Sequence, residues 1–391
     1  MRQGDVPVCP QLQRVRDASD RSLDIPRRAL LKAGAAALGA AAVGLKPLAA
    51  SAAEELVVGV VYVGSRDDFG WNQSHAVAID ALKKAPGVKV LEEERVPETI
   101  DVVKTIESMI ELDDAKLIFG TSFGYFDPFM IELAKKYPQV QFRHPTTLWS
   151  ADKHPKNLGG YFASLDQAHY VSGVAAGLSS KSGKLGFVAA KPISIVLRSI
   201  NQFTLGARKV NPNATVKLIF TGEWSLPVRE AEIANSLIDQ GCDLIACHVD
   251  SPKVVVQTAE ARGVKCCGHN ASQASLAPKG FVTGAELKYE TLYKGFAELL
   301  AAGKPLPNVA IGGFDKDMVR MTPYGAGASD EARKAADIAV ADLVAGKPIY
   351  VGPVKDNKGA TVLPAGQTYG NYAPELDATA FLVEGVQGSL A

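Results

Sequence analysis

Beyond residue 52 the chain repeats one pattern: a short, nearly continuous apolar run, then a stretch of helix length with apolar positions at the helical period. The runs fall at 56–63, 88–93, 116–120 and 140–144, and again at 185–190, 216–220, 243–249 and 264–268. Segments 72–84, 100–112, 128–136, 167–180, 194–210, 228–240 and 252–262 between them read as helices. Apolar runs without in–out alternation predict strands buried on both faces, hence parallel sheets sandwiched by helices. Two series of four strands at similar pitch predict two α/β lobes rather than one wide sheet, with the break at the polar stretch 179–184. A further strand is expected at 281–284. From Gly303 the pattern loosens to one helix at 330–345 and a Gly/Pro-rich stretch to Gly370.

In open parallel sheets, ligands bind beyond the carboxyl ends of the strands. The loops there carry Phe69, Trp71, Phe123, Tyr125 and Trp224, together with Asn72, Asp127, Glu223, Asp250 and Asn270. Aromatic faces with a few convergent polar groups describe a pocket for a flat heteroaromatic ligand. The bland alternative for Trp71 and Trp224 is packing within their own lobes. For Asp127 it is capping, since Asp127-Pro128 before an apolar stretch is an N-cap with Pro at the first helical position.

Other chemistries find less support. Gly120-Thr-Ser-Phe-Gly124 has the spacing of a nucleophile elbow, but an elbow needs its helix to begin at the serine. Here the helix signal comes several residues late, so Ser122 is not expected to be a hydrolase nucleophile and the chain is not expected to be an enzyme. His248 and His269 stand at consecutive strand ends beside Cys247 and Cys267. Alternation along a strand sends neighbouring Cys and His to opposite faces, so no metal site is expected from these four. There is no Walker loop, and no Rossmann glycine fingerprint follows the first strand, so no cofactor is expected.

Charge and the N-terminal stretch narrow the partners. Lys+Arg and Asp+Glu balance at 42 each in 391 residues. Eight basic and four acidic residues fall in the first 52, which leaves 34 against 38 and a net charge of −4 for the remainder. That sign disfavours nucleic acid. Within the first 52 residues, Arg27-Arg28 precede an apolar run of about 13 residues and the small-residue site Ala50-Ser51-Ala52. The run is short of the ~20 residues a spanning helix needs, and the layout is that of a twin-arginine export signal. Residues 1–52 are therefore expected to be a signal peptide and the mature protein periplasmic. Cys242, Cys247, Cys266 and Cys267 allow one bridge or buried free thiols.

Several stretches together resemble the basic-membrane-protein family of ABC-transporter substrate-binding proteins. They are Phe69-Gly-Trp-Asn-Gln73, Thr121-Ser-Phe-Gly-Tyr-Phe-Asp-Pro128, residues 198–208 and 210–216, His248-Val-Asp-Ser-Pro252 and Val383-Glu-Gly-Val386. The similarity runs from about residue 55 to the end. It implies a type I periplasmic-binding-protein fold, two parallel-sheet lobes joined by hinge crossovers, with residues 53–182 plus 281–303 in one lobe and 183–280 plus 304–391 in the other. It also implies that the strand at 281–286 returns the chain to the first lobe. The expected partners are a small-molecule ligand, a purine base or nucleoside, and an ABC permease at the inner membrane; the protein is expected to be a monomer.

By the same resemblance Trp71 and Trp224 sandwich the base, and Asn72 and Asp127 supply polar contacts. Nucleoside receptors hold the ribose with an acidic residue where this chain has Asn270. They also carry a lysine where Leu287 stands, with Glu286 just before it. Both departures favour a free base over a nucleoside. Asp250 and Glu286 are expected to border the cleft. A receptor of the same fold for a different small polar ligand is the alternative.

Overall fold

The computed structural model describes residues 55–390, so the expected export signal lies outside the described residues. In chain order the first part contains β1 (Leu56–Val61), α1 (Trp71–Leu82), β2 (Val88–Glu93), α2 (Ile100–Glu111), β3 (Leu117–Gly120), α3 (Ile131–Lys136), β4 (Gln141–His144) and β5 (Leu158–Ala163). The second contains α4 (Leu165–Ser179), β6 (Lys184–Ala189), α5 (Ser194–Val210), β7 (Thr215–Phe220), α6 (Pro227–Asp239), β8 (Leu244–His248), α7 (Lys253–Ala261), β9 (Lys265–Asn270) and β10 (Phe281–Leu287). Then come α8 (Glu290–Ala301), β11 (Val309–Gly312), β12 (Val319–Met321), α9 (Asp330–Val344), two short hairpins, α10 (Pro374–Asp377) and β13 (Val386–Gln387).

Local signals set several of these elements. Thr99 caps α2 by accepting from the Asp101 amide, and Ser329 caps α9 by accepting from Ala332. Asp330 and Glu331 in the first turn of α9 complement its dipole. Val58, Val60, Leu117 and Phe119 are fully buried, as are Leu185, Phe187, Leu244 and Ile245. Removing both faces of these strands from water is what holds each sheet between its helices.

The strands form two sheets, as the pattern implied. The first runs β11-β5-β4-β3-β1-β2 and the second β12-β10-β9-β8-β6-β7-β13. Pairing is parallel except for β10 with β12. The expected return of the chain at 281–286 is corrected: Phe281–Leu287 pairs with β9 in the second sheet. The return comes later, through α8, which packs on α1, and β11, which pairs with β5. Nor does the chain leave the first sheet near 179–184. It leaves after Ala163, and α4 packs against α5, α9 and β10. Among the described residues the chain thus passes between the sheets three times, at 164, 288 and 313–318.

Strand β5 was not foreseen because Gly159 and Gly160 interrupt its apolar run. Close packing requires them: a methyl on Gly160 would lie 2.1 Å from the Thr146 carbonyl oxygen. The helix start expected at Pro128 is corrected too, and with it the alternative that Asp127 caps that helix. Asp127 lies inside a five-residue π turn with extended dihedrals and a cis bond to Pro128, and α3 begins only at Ile131. The four cysteines are buried free thiols.

Candidate functional site

The first wall of the site is the loop between β1 and α1. The Asp68 carboxylate accepts from the amides of Gly70 (2.8 Å), Asn72 (3.0 Å) and Gln73 (3.0 Å), so it closes the open N-terminus of α1. It also accepts from the Asn72 side-chain amide at 2.8 Å, while the Asn72 side-chain oxygen accepts from Gly64 N at 3.1 Å. Asn72 is thereby engaged in shaping its own loop.

Trp71 opens α1 at the end of that loop, with its indole N–H donating to the Thr121 carbonyl at 2.7 Å. Behind it His75 makes an edge contact at 4.7 Å and itself stacks on Tyr289 at 5.2 Å. His75 Nδ1 is 2.6 Å from the Tyr293 hydroxyl, which also meets Tyr161 at 2.5 Å. Burial holds His75 neutral, its pKa lowered to about 3. A hydrogen bond and a stacked aromatic column therefore fix the ring before any ligand arrives.

The opposing wall comes from the second sheet. Trp224 follows β7 after a turn at Gly222 with φ +92, and packs 6.4 Å from His248. Asp250, just past β8, ties the two tryptophans together. Its amide donates to the Trp224 carbonyl and its carbonyl accepts from the Trp71 amide, both at 2.9 Å. The two walls also meet where Ser251 Oγ donates to Asp68 O (2.7 Å) and Gln273 Nε2 donates to Phe69 O (2.5 Å). Gly70 permits this approach, since a methyl there would sit 1.9 Å from Asp250 O.

Charge in this gap is predominantly negative. Burial first, and then the charges of Asp68, Glu230 and Glu98 against the opposing Lys191, together push the Asp250 carboxyl up to about 7. Asp68 and Glu98 belong to the first wall, so part of this repulsion exists only while the walls touch. The closed form therefore binds the extra proton, and closure weakens as pH rises from the ordinary carboxylate range to about 7. Small-angle scattering of the unliganded protein is expected to show a more open molecule at pH 8 than at pH 5.5. Asp250→Asn is expected to flatten that difference.

The remaining expected residues scatter. Phe123 is 65% exposed. Tyr125 is fully buried in the first core and its hydroxyl donates to Val96 O at 2.5 Å, so it braces the wall rather than facing the gap. Asp127 is exposed, with His154 near it. Asn270 is buried with φ +65 at the end of β9, and pairs in register with Glu286. Glu286 is buried too, held by Arg320 Nε at 2.7 Å. Asn270, Glu286, Arg320, Gln73 and Ser272 line a cavity of about 70 Å³.

Ser122 has neither elbow strain nor a histidine base. Its φ of −118 and ψ of 144 are extended, its hydroxyl donates to Glu98, and His144 reaches only its carbonyl. Cys247 parts from His248 as expected and lies in the core beneath α6 and α7, but Cys267, two residues before His269 and so on the same face of β9, packs on the α4 side with its thiol 3.9 Å from Ser172 O. His248 and His269 nevertheless converge, and His169 of α4 joins them. Sequence reading missed His169, along with Asp68, His75, Tyr289 and Gln273. Of these only Asp68 carried a signal, as an acidic residue just ahead of a helix. The arrangement as a whole presents ring faces and hydrogen-bonding groups, suited to holding a small molecule.

A family described as ABC transporter substrate-binding protein, PnrA-like (Bmp) matches residues 55–357. A purine-binding protein of Brucella abortus (strain 2308) is 36% identical over 322 residues, covering 82% of this chain and 90% of that protein. A putative ABC transporter glucose-binding protein of Haloferax volcanii is 32% identical over 273 residues, covering 70% of this chain and 68% of its own. In fold, the solute-binding protein of an ABC transporter system from Conexibacter woesei superposes with a TM-score of 0.65 at 23% identity, over 75% of this chain and 97% of that one. The architecture is the type I periplasmic-binding fold. Among the described residues no helix is long and apolar enough to cross a membrane.

Proposed function

We propose, from the premise that this chain belongs to the Bmp family of PnrA-like ABC transporter substrate-binding proteins, that its ligand is a purine-type ring clasped between Trp71 and Trp224. As a member of that family it is the substrate-binding component of an ABC importer, with a small-molecule ligand and a membrane permease as partners. The observation that carries the purine reading is the double hydrogen bond of Asp250, whose backbone N–H and C=O bridge the backbones of both tryptophans across the gap. The purine-binding relative supports the same ligand class.

Two features favour a free base over a nucleoside. Asn270 offers no carboxylate to ribose hydroxyls, and Glu286 is already paired with Arg320. The cavity beside them, about 70 Å³, has the volume of about two waters. The proposed cycle is capture by the open lobes, closure about the three crossovers, and docking of the closed form on the permease, with export to the periplasm by the twin-arginine route. A second reading, a sugar, draws support from the glucose-binding relative, because indole faces also pack on apolar sugar faces.

Each stacked ring contributes about 0.5–1.5 kcal/mol beyond its area burial. Trp224→Ala is therefore expected to weaken purine binding more than tenfold while leaving the unfolding midpoint near that of the parent. Calorimetric titration checks it, and unchanged affinity would remove Trp224 from the site.

A further inference from the structure

We propose that His169, His248 and His269 form a binding site for a divalent transition-metal ion of the zinc class, at the gap-facing end of the second sheet. Each residue comes from a different element, α4, β8 and β9, yet one ring nitrogen from each lies within 4.8 Å of those of the other two. His169 Nε2 and His269 Nδ1 are 2.8 Å apart. A tetrahedral ion with Zn–N bonds of about 2.0 Å needs ligand nitrogens about 3.3 Å apart, and the observed spacings bracket that value.

The donor set suits such an ion. His169 and His269 are each 1% exposed, and burial holds both imidazoles well below their ordinary pKa, in the neutral form that ligates metals. The tautomer of His248 is set by its neighbour. The Ser199 hydroxyl lies 3.2 Å from Ile195 O and 3.0 Å from His248 Nδ1, and with its proton assigned to the carbonyl it accepts from Nδ1. Nδ1 therefore carries the hydrogen and Nε2 keeps a lone pair, as an outer hydrogen bond orients a ligating histidine.

His169 Nε2 and His269 Nδ1 face each other across a hydrogen bond, and His169 Nδ1 and His269 Nε2 are buried without a protein partner with or without the ion. Ligation replaces the shared hydrogen bond with two coordinate bonds. It needs only a shift of one proton from the bridging nitrogen to the far nitrogen of the same ring. The three imidazoles leave a fourth coordination position. Gln273 couples the site to the gap, accepting from the His269 amide at 3.0 Å and donating to Phe69 O at 2.5 Å.

The test is calorimetric titration of chelator-treated protein with Zn²⁺, and of the same protein with Co²⁺ followed by visible absorption, both without organic ligand. One equivalent is expected to bind. His169→Gln and His269→Gln are each expected to lower affinity at least about 100-fold, and Ser199→Ala about tenfold. His154→Gln, outside the cluster, is expected to change nothing. The Co²⁺ spectrum is expected to show tetrahedral nitrogen ligation without a thiolate charge-transfer band, a readout that stands even where a variant fails to fold. Absence of stoichiometric binding, a thiolate band, or full affinity in folded His169→Gln and His269→Gln would overturn the site. None of these outcomes depends on whether the transported ligand is a purine.

Discussion

Gly70→Ala is expected to weaken ligand binding at least 100-fold without changing the unfolding midpoint of the unliganded protein. The added methyl would sit 1.9 Å from Asp250 O and 2.8 Å from Pro252 Cδ, so the two walls cannot meet as they do here. They would separate by more than an ångström. The Trp71–Asp250 hydrogen bond would be lost, and the Ser251–Asp68 and Gln273–Phe69 bonds with it. Apparent affinity falls in proportion to the binding-competent fraction, so reducing the closed form to about 1% costs about two orders of magnitude. Isothermal calorimetry measures that loss. Thermal denaturation separates it from unfolding, because the collision lies between the lobes and leaves both cores intact. A normal affinity would mean that the ligand is held without this contact.

The second large effect concerns the frame. Arg198→Ala is expected to destabilise the protein by about 3–5 kcal/mol, read as a lowered urea midpoint. Arg198 Nε and Nη2 donate to Asp166 Oδ2 at 3.0 and 2.9 Å, and Gln202 donates to the same oxygen at 2.5 Å. The two side chains are 5% and 4% exposed, and Nη1 reaches on to Asp377 at 2.8 Å. Removing the guanidinium strands the Asp166 carboxylate in the seam between α4 and α5, where water cannot replace the lost partner. The double variant Arg198→Met with Asp166→Leu is expected to recover most of the loss, since a buried pair replaced by apolar groups is often near neutral. No recovery would mean that Arg198 acts through Asp377 instead.

Arg198 also shows how sequence and structure divide the information. The stretch 198–208 carries part of the family resemblance, which says nothing of what Arg198 holds. In the folded chain it is a clamp between helices, a role that depends on Asp166 and Asp377, neither of them local. The same holds for Glu286, whose partner Arg320 lies on a strand that the loosened tail pattern hid. The two sheets were legible because strands buried on both faces cannot alternate, and unbroken apolar runs announce that. Strand β5 was hidden for the opposite reason: glycines demanded by the crowding of Thr146 and Asn308 erased its apolar signal. The crossing points followed. With β5 and β11 unseen, the pattern offers no edge strand for the first sheet, and the resemblance alone places residues 281–286 there, although Phe281–Leu287 pairs with β9.

Side-chain direction was the least legible layer. Tyr125 and Trp71 both follow strands of the first sheet, yet Tyr125 turns fully into the core while Trp71 stays half-buried at its edge. The difference is a hydrogen bond to Val96 in one case and to Thr121 in the other. His169 carried no spacing that tied it to His248 or His269. Only the placement of α4 over the second sheet brings the three together.

The measurement that bears most directly on the clasp between Trp71 and Trp224 is a calorimetric series on ligand-stripped protein with adenine, hypoxanthine, their nucleosides and glucose. A single site for a free base is expected, tighter than for its nucleoside and weakened by loss of either indole. Binding of glucose with no response to any purine would contradict it.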